Sequence, residues 1–421
     1  MTQLIIFDQN MKNPIKENIK KINFSATLSI NEKTKKLIAK GKTIYKFGFG
    51  LSPFPVPEKI VQVFKKNAFQ NEYLPMQGLP ALRDEIAKHL TKYTKNKLSR
   101  ENVLITPGSK TSMYLMHMCF NGDVIIPQSS WVSYAPQARL ANNKIHWLET
   151  NKENNWYPTA QILEKKLKTL KSKNIILFLN SPNNPSGLVS KNLKELAKVA
   201  RKHKIFILSD EVYADLTFSG KYESISTYYP EGTFISGGLS KWCGAGGWRL
   251  GFLTVPNQHK YYLTNLNKLA SEAYSTVNSP TQFAAVEAYR GNLQEYKIKT
   301  KKILQAVGQY VSRHLQSYNV EASSPEGGFY LMFEMYSKKF KTSDQLSKAM
   351  LDEIGVASLP GSVFGFKPNH LIVRLAFTDF NGSIFLKKIN VKTNITDQLI
   401  EKYAPKVTIG VKKLAAWIDK Q

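Results

Sequence analysis

Residues 204–210 read KIFILSD, a short apolar run that ends in an acid. Apolar runs of this length bounded by polar residues read as strands buried on both faces, and the terminal carboxylate needs a partner once water is excluded. The same pattern recurs along the chain. It predicts strands over 102–106 (NVLIT), 123–127 (DVIIP), 144–149 (KIHWLE), 174–180 (NIILFLN), 233–238 (TFISGG) and 249–255 (RLGFLTV). Amphipathic segments separate most of them, which is the pattern of an α/β protein with a mainly parallel seven-stranded sheet covered by helices. A long amphipathic stretch, 293–317, then leads into EGGFYLMFEM (326–335), a helix near 343–355 and HLIVRLAF (370–377). These read as a smaller α+β domain.

The 421 residues, 42% hydrophobic and 11% aromatic, suffice for one large domain and one smaller one. No apolar run has membrane-spanning length, and the first residues, MTQLIIFDQNMKNPIKENIK, lack the apolar region and cleavage site of a secretory signal. A cytoplasmic protein with no membrane partner is expected. Cys119 and Cys243 are too few for a disulfide framework or a cysteine metal site, and the histidines show no metal-ligand spacing. The net charge of +28 comes from lysines spread along helical faces, as in EKKLKTLKSK (164–173) and KNLKELAKVARKHK (191–204). That reads as solvated surface, and no nucleic-acid-binding signature accompanies it, so nucleic acid is not an expected partner.

In an open α/β sheet, ligands bind outside the carboxyl ends of the strands. Gly108-Ser109-Lys110 follows the strand ending at Thr106 and opens a helix; Asn184 follows the strand ending at Asn180; Asp210 closes its own strand; Lys241 lies just past TFISGG. Four predicted strand ends thus deliver polar groups to one edge. Gly108 at a helix start offers backbone N–H groups to a phosphate, and Arg249, eight residues after Lys241, offers a fork that suits phosphate oxygens. A lysine among small residues can attack a carbonyl to form a Schiff base, and a strand-end aspartate can keep a ring nitrogen protonated. Lysine, acid and phosphate cup together describe a site for pyridoxal 5′-phosphate (PLP), an electron sink.

The chain resembles the class I aminotransferases of PLP fold type I, and most of all the bacterial aspartate aminotransferase branch. GLSKWCGAGGWRLG (238–251) fits that family's lysine signature at every defined position. SATLSINEKTKKL (25–37), YLPMQGLPALRDEIA (73–87), TPGSKTSMY (106–114), WVSY (131–134), NSPNNPSG (180–187), SDEVYADL (209–216) and VRLAF (373–377) follow the family's order. The resemblance spans about residues 24 to 380, and an ordered set is far more specific than any single match.

The resemblance implies a large PLP-binding domain over 58–305 and a small domain over 306–421, completed by an N-terminal arm over 1–57. It implies that Lys241 carries the cofactor covalently and shuttles the reacting proton, that Asp210 holds the ring nitrogen, and that Tyr213 and Asn184 bond the ring oxygen. Ser109 and Lys110 backbone groups, Ser240 and Arg249 would hold the phosphate, with Tyr73 from a second subunit, so a homodimer is implied. Trp131 would stack on the ring; read without the motif, it is more simply a core residue. Arg374, inside an apolar strand, requires an anionic partner and would clamp the substrate α-carboxylate with Asn184 and the Gly50 backbone. Lys110 would select acidic side chains. The chain departs from the pattern in its GLSPFPVP loop (50–57), in Asn23, where relatives that use prephenate are basic, and in a long 378–410 segment. Two other function classes are weighed against transamination: another PLP reaction on this fold, such as a carbon–sulfur lyase, and a non-catalytic binding protein. Intact Lys241, Asp210 and Arg374 argue against the last.

Overall fold

The computed structural model describes residues 14–94, 96–317 and 319–421. The first thirteen residues of the N-terminal arm, including most of the stretch read for a secretory signal, lie outside the described residues.

A two-residue strand, β1 (Tyr45–Lys46), precedes the main sheet. That sheet contains β2 (Val103–Thr106), β3 (Asp123–Pro127), β4 (Ile145–Leu148), β5 (Ile175–Asn180), β6 (Phe206–Asp210), β7 (Thr233–Gly238) and β8 (Gly251–Thr254), in the order β2-β8-β7-β6-β5-β3-β4. Only β8 runs against its neighbours, being antiparallel to both β2 and β7. Successive side chains of these strands go to opposite layers. Ile176, Phe178, Leu208 and Phe234 pack with helices on one face, while Leu177, Leu179 and Ile207 pack on the other. Burial on both faces is why the runs are apolar without alternation.

Register decides which side chains meet. Asn180 pairs with Asp210 and Asp210 with Ser236, so the ends of β5, β6 and β7 lie level. Gly251 pairs with both Thr106 and Gly238, which brings the end of β2 to the same edge.

Helix Gln294–Leu315 leads from this layer to a second, antiparallel sheet. Its strands are β9 (Val320–Ala322), β10 (Tyr330–Met335), β12 (Leu359–Pro360) and β13 (Ile372–Ala376), in the order β12-β13-β10-β9. Strand β11 (Val356–Ala357) instead pairs in parallel with β1, which ties the N-terminal segment to this layer. The 378–410 segment folds into helices Gly382–Lys388 and Asp397–Tyr403 and the start of Pro405–Ile418.

Several expected strands are one to three residues shorter than read, and one of these differences bears on the site. Arg249 and Leu250 were expected inside the strand 249–255, but β8 begins at Gly251 and Arg249 is left-handed with φ 54°. The turn aims the guanidinium back at the start of helix Ser109–Cys119.

Candidate active site

Ser109, Met113, Trp131, Asn180, Asn184, Asp210, Tyr213 and Lys241 line one pocket at the level edge of the sheet. Each arrives by a short route from a strand end. Helix Ser109–Cys119 is anchored under the pocket by Ser112, whose hydroxyl lies 2.7 Å from that of Ser236 on β7. Its N-cap is Gly108, at φ +82°, so no side chain caps the first-turn N–H groups. Uncapped N–H groups at the positive end of a helix are an anion cradle. Arg249 closes it. A Cβ built on Gly108 would fall 2.3 Å from the Arg249 Nη2, and the guanidinium donates to the Gly246 and Pro107 carbonyls at 2.9 and 3.2 Å.

Asp210 is 4% exposed. Its Oδ2 accepts the Tyr134 hydroxyl at 2.7 Å and its Oδ1 accepts the Val212 N–H at 3.4 Å. Burial pushes its pKa up to about 6, against the opposing effects of those hydrogen bonds and of the Lys241 charge. Burial likewise raises the Tyr213 hydroxyl, whose closest partner is the Tyr330 hydroxyl at 3.2 Å. The Lys241 Nζ donates to the Gly50 carbonyl at 3.2 Å and lies over the Tyr213 and Phe329 rings at 5.7 and 5.4 Å. Gly50 cannot be larger, because a Cβ there would lie 2.0 Å from the Tyr330 hydroxyl.

Arg374, on β13, is fully buried. Its Nη1 donates to Asn184 Oδ1 at 3.2 Å and its Nη2 to the Gly48 carbonyl at 2.5 Å, while Nε has no partner. The Tyr330 and Phe364 rings flank it at 4.5 and 5.2 Å. Among the described residues it forms no ion pair, so the protein supplies a desolvated cation without its anion. Lys110 lies beside this pocket with its Nζ 5.5 Å from the Trp131 ring. Burial, and then the Arg249 charge, lower its pKa.

These positions fit PLP. A buried carboxylate with a raised pKa gains from a ring N–H⁺, the uncapped helix start with Arg249 suits a phosphate, and the Lys241 amine stands at the same pocket. Tyr73 is not among the residues lining this pocket, and it is 88% exposed. Ser240 lies two residues past the end of β7, next to Lys241. Three residues were missed in the sequence. Tyr134 sits three positions after Trp131 in WVSY, a stretch noticed for its tryptophan. The Asn180 side chain donates to the Asp210 carbonyl at 2.7 Å and accepts the Asn184 N–H at 2.8 Å, so it fixes both neighbours. Tyr330 comes from the other layer, and no local pattern signals it.

Strand order, level strand ends and this lysine–aspartate–helix arrangement define the class: a PLP-dependent protein of fold type I. The model of the family described as aminotransferase class I and II matches residues 42–383. An aspartate aminotransferase of Thermotoga maritima is 32% identical over 373 residues, covering 86% of this chain and 94% of the relative. One of Geobacillus stearothermophilus is 33% identical over 368 residues, covering 84% and 91%. The solved structure of the Thermus thermophilus aspartate aminotransferase with maleate superposes with a TM-score of 0.82 at 23% identity, covering 96% of this chain and all of that one, and so supports the fold. The chain belongs to the class I and II aminotransferase family and is a PLP-dependent aminotransferase. Among the described residues, no helix is long and apolar enough to cross a membrane.

Proposed function

We propose that this aminotransferase takes acidic substrates, aspartate or glutamate and their 2-oxo acids, in the pocket between Arg374 and Lys110. The observation that carries the reading is the Arg374 guanidinium, wholly buried and, among the described residues, without an acidic partner. A guanidinium in such a site suits a carboxylate bidentately. Arg374 holds the substrate α-carboxylate, with Asn184 and the Gly50 segment beside it. Lys110 is a second cation beside the Trp131 ring and meets the distal carboxylate. The names of the Thermotoga and Geobacillus relatives agree with such a substrate.

When bound, PLP accepts the amino group and withdraws electrons from the substrate Cα–H bond. Lys241 holds the cofactor and moves the proton from that carbon at its Nζ. Asp210, itself held by Tyr134, would supply the charge for the ring nitrogen. Tyr213 and Asn184 would bond the ring oxygen, and Trp131 would cover the ring and exclude water. Gly108, Ser109 and Lys110 backbone groups, Ser240 and Arg249 would hold the phosphate. Tyr73 reaches the phosphate of a second copy, which makes the working form a homodimer. The chain divides into 58–305, which builds the cofactor side, and 306–421 with 1–57, which closes over the substrate; the cut at 305 falls inside helix Gln294–Leu315. The enzyme works in the cytoplasm, where Cys119 and Cys243 stay reduced.

The test compares kcat/KM for aspartate and for phenylalanine in the parent and in Lys110→Gln. One charge pair in a partly closed site is worth about 1.5–3 kcal/mol, roughly tenfold to a hundredfold in preference. The ratio therefore falls at least tenfold in the variant. A ratio that does not move removes Lys110 as the side-chain reader.

A further inference from the structure

A second cavity lies apart from the one lined by Lys241. A cleft of about 960 Å³ opens between helix Ala26–Ala39, residues 49–53 and the 378–406 segment. Four of its lining residues are Lys35, Lys46, Lys402 and Lys406, against one carboxylate, Asp379. Lys46 neutralises Asp379 at 3.1 Å. Among the described residues, Lys35, Lys402 and Lys406 form no ion pair; Lys402 only lies over the Tyr403 ring at 5.6 Å. Unpaired ammonium groups around one concavity raise the local concentration of anions. The floor between them is apolar, with Phe49, Phe380 and Ile384 facing the same space. A volume of this size, with an apolar lining and a few convergent charges, is that of a small-molecule site.

We propose that this cleft binds a small organic dianion, a phosphate monoester on an apolar ring or chain, and that its occupancy is felt in the active site. Three unpaired cations match a dianion better than a monoanion, and the apolar floor takes the body. The mechanical link is residues 48–53. Phe49 and Leu51 line the cleft, while Gly48 and Gly50 between and beside them carry the carbonyls that accept Arg374 and Lys241. The far side of the same segment is pinned by Gly382 N–H on the Pro53 carbonyl at 3.1 Å and by the Lys46 N–H on Asp379 at 3.1 Å. A body seated on Phe49 and Phe380 thus presses on the strip that positions the substrate-facing groups. Two of the lysines come from the long 378–410 segment, which gives that segment a function. The proposal does not depend on which amino acid is the substrate.

Phenyl phosphate is the probe, titrated calorimetrically into the holoenzyme. One probe binds per chain, and inorganic phosphate alone binds more weakly. Each exposed lysine lost costs about two- to fivefold, so the Lys402→Gln/Lys406→Gln double variant binds roughly tenfold more weakly while its transamination rate without probe stays that of the parent. The probe changes the parent's rate in a way that excess amino acid does not reverse, and changes the double variant's rate only at higher concentration. The proposal is overturned if binding is absent or does not saturate, or if the double variant binds as the parent does. Equal binding of inorganic phosphate, or inhibition fully relieved by amino acid, also overturns it. So does a double variant that falls to monomer, since the cleft then belongs to subunit contact.

Discussion

Asp210 is the residue whose chemistry depends most on its surroundings. A buried carboxyl with a pKa of about 6 binds its proton more tightly in the folded protein than in the unfolded chain, where the value is about 3.9. The cofactor-free protein therefore loses stability as pH rises from about 4 to about 6, by roughly 3 kcal/mol, and stays at that lower level above. Asp210→Asn removes this loss. The Tm of the cofactor-free variant, relative to the cofactor-free parent, rises by about one to two degrees between pH 5 and pH 8. An identical difference at the two pH values would show that Asp210 does not titrate there. With cofactor present, the proposed pairing of Asp210 with the ring nitrogen predicts that the same change lowers activity by orders of magnitude at nearly unchanged fold. The raised pKa was not readable in KIFILSD, because it arises from burial beneath the layer above β6, which outweighs the Tyr134 hydrogen bond, rather than from the strand itself.

At the scale of elements, the start of helix Ser109–Cys119 carries the phosphate argument. Gly108→Ala places a Cβ 2.3 Å from Arg249 Nη2 and holds an L residue at φ +82°, a strain of about 1–2 kcal/mol. The guanidinium must move, and cofactor affinity, measured by equilibrium dialysis, drops at least tenfold. Parent-like affinity in Gly108→Ala would mean that the phosphate does not rest there. The strands themselves were legible, since continuous apolar runs such as NIILFLN have no other place than a sheet covered on both faces. The reversal of β8 was not. Apolar pattern carries no direction, and the left-handed turn at Arg249 that delays the start of the expected strand by two residues depends on its packing against Gly108. Tyr330 stayed hidden for a related reason: its hydroxyl meets Tyr213 across 117 residues of chain.

At the scale of the whole molecule, the site as proposed is complete only when a second copy supplies Tyr73, which is 88% exposed in one chain near exposed Phe69 at 74%. Mixing Lys241→Ala with Tyr73→Ala, each nearly inactive alone, then restores activity. A hybrid dimer has one site with both defects and one with neither, so random exchange returns about one quarter of parent activity. Recovery no greater than the sum of the two variants would place Tyr73 outside the partner's site. The central claim, that Lys241 and its pocket perform transamination on an acidic amino acid, is tested most directly by a single turnover. Holoenzyme is mixed with L-aspartate and no oxo acid, and the visible band of lysine-bound cofactor is followed together with the products. The account predicts loss of the band, one oxaloacetate per active site and no ammonia, with the band restored by 2-oxoglutarate. Continued release of ammonia, or a band that does not change with aspartate or glutamate, would contradict it.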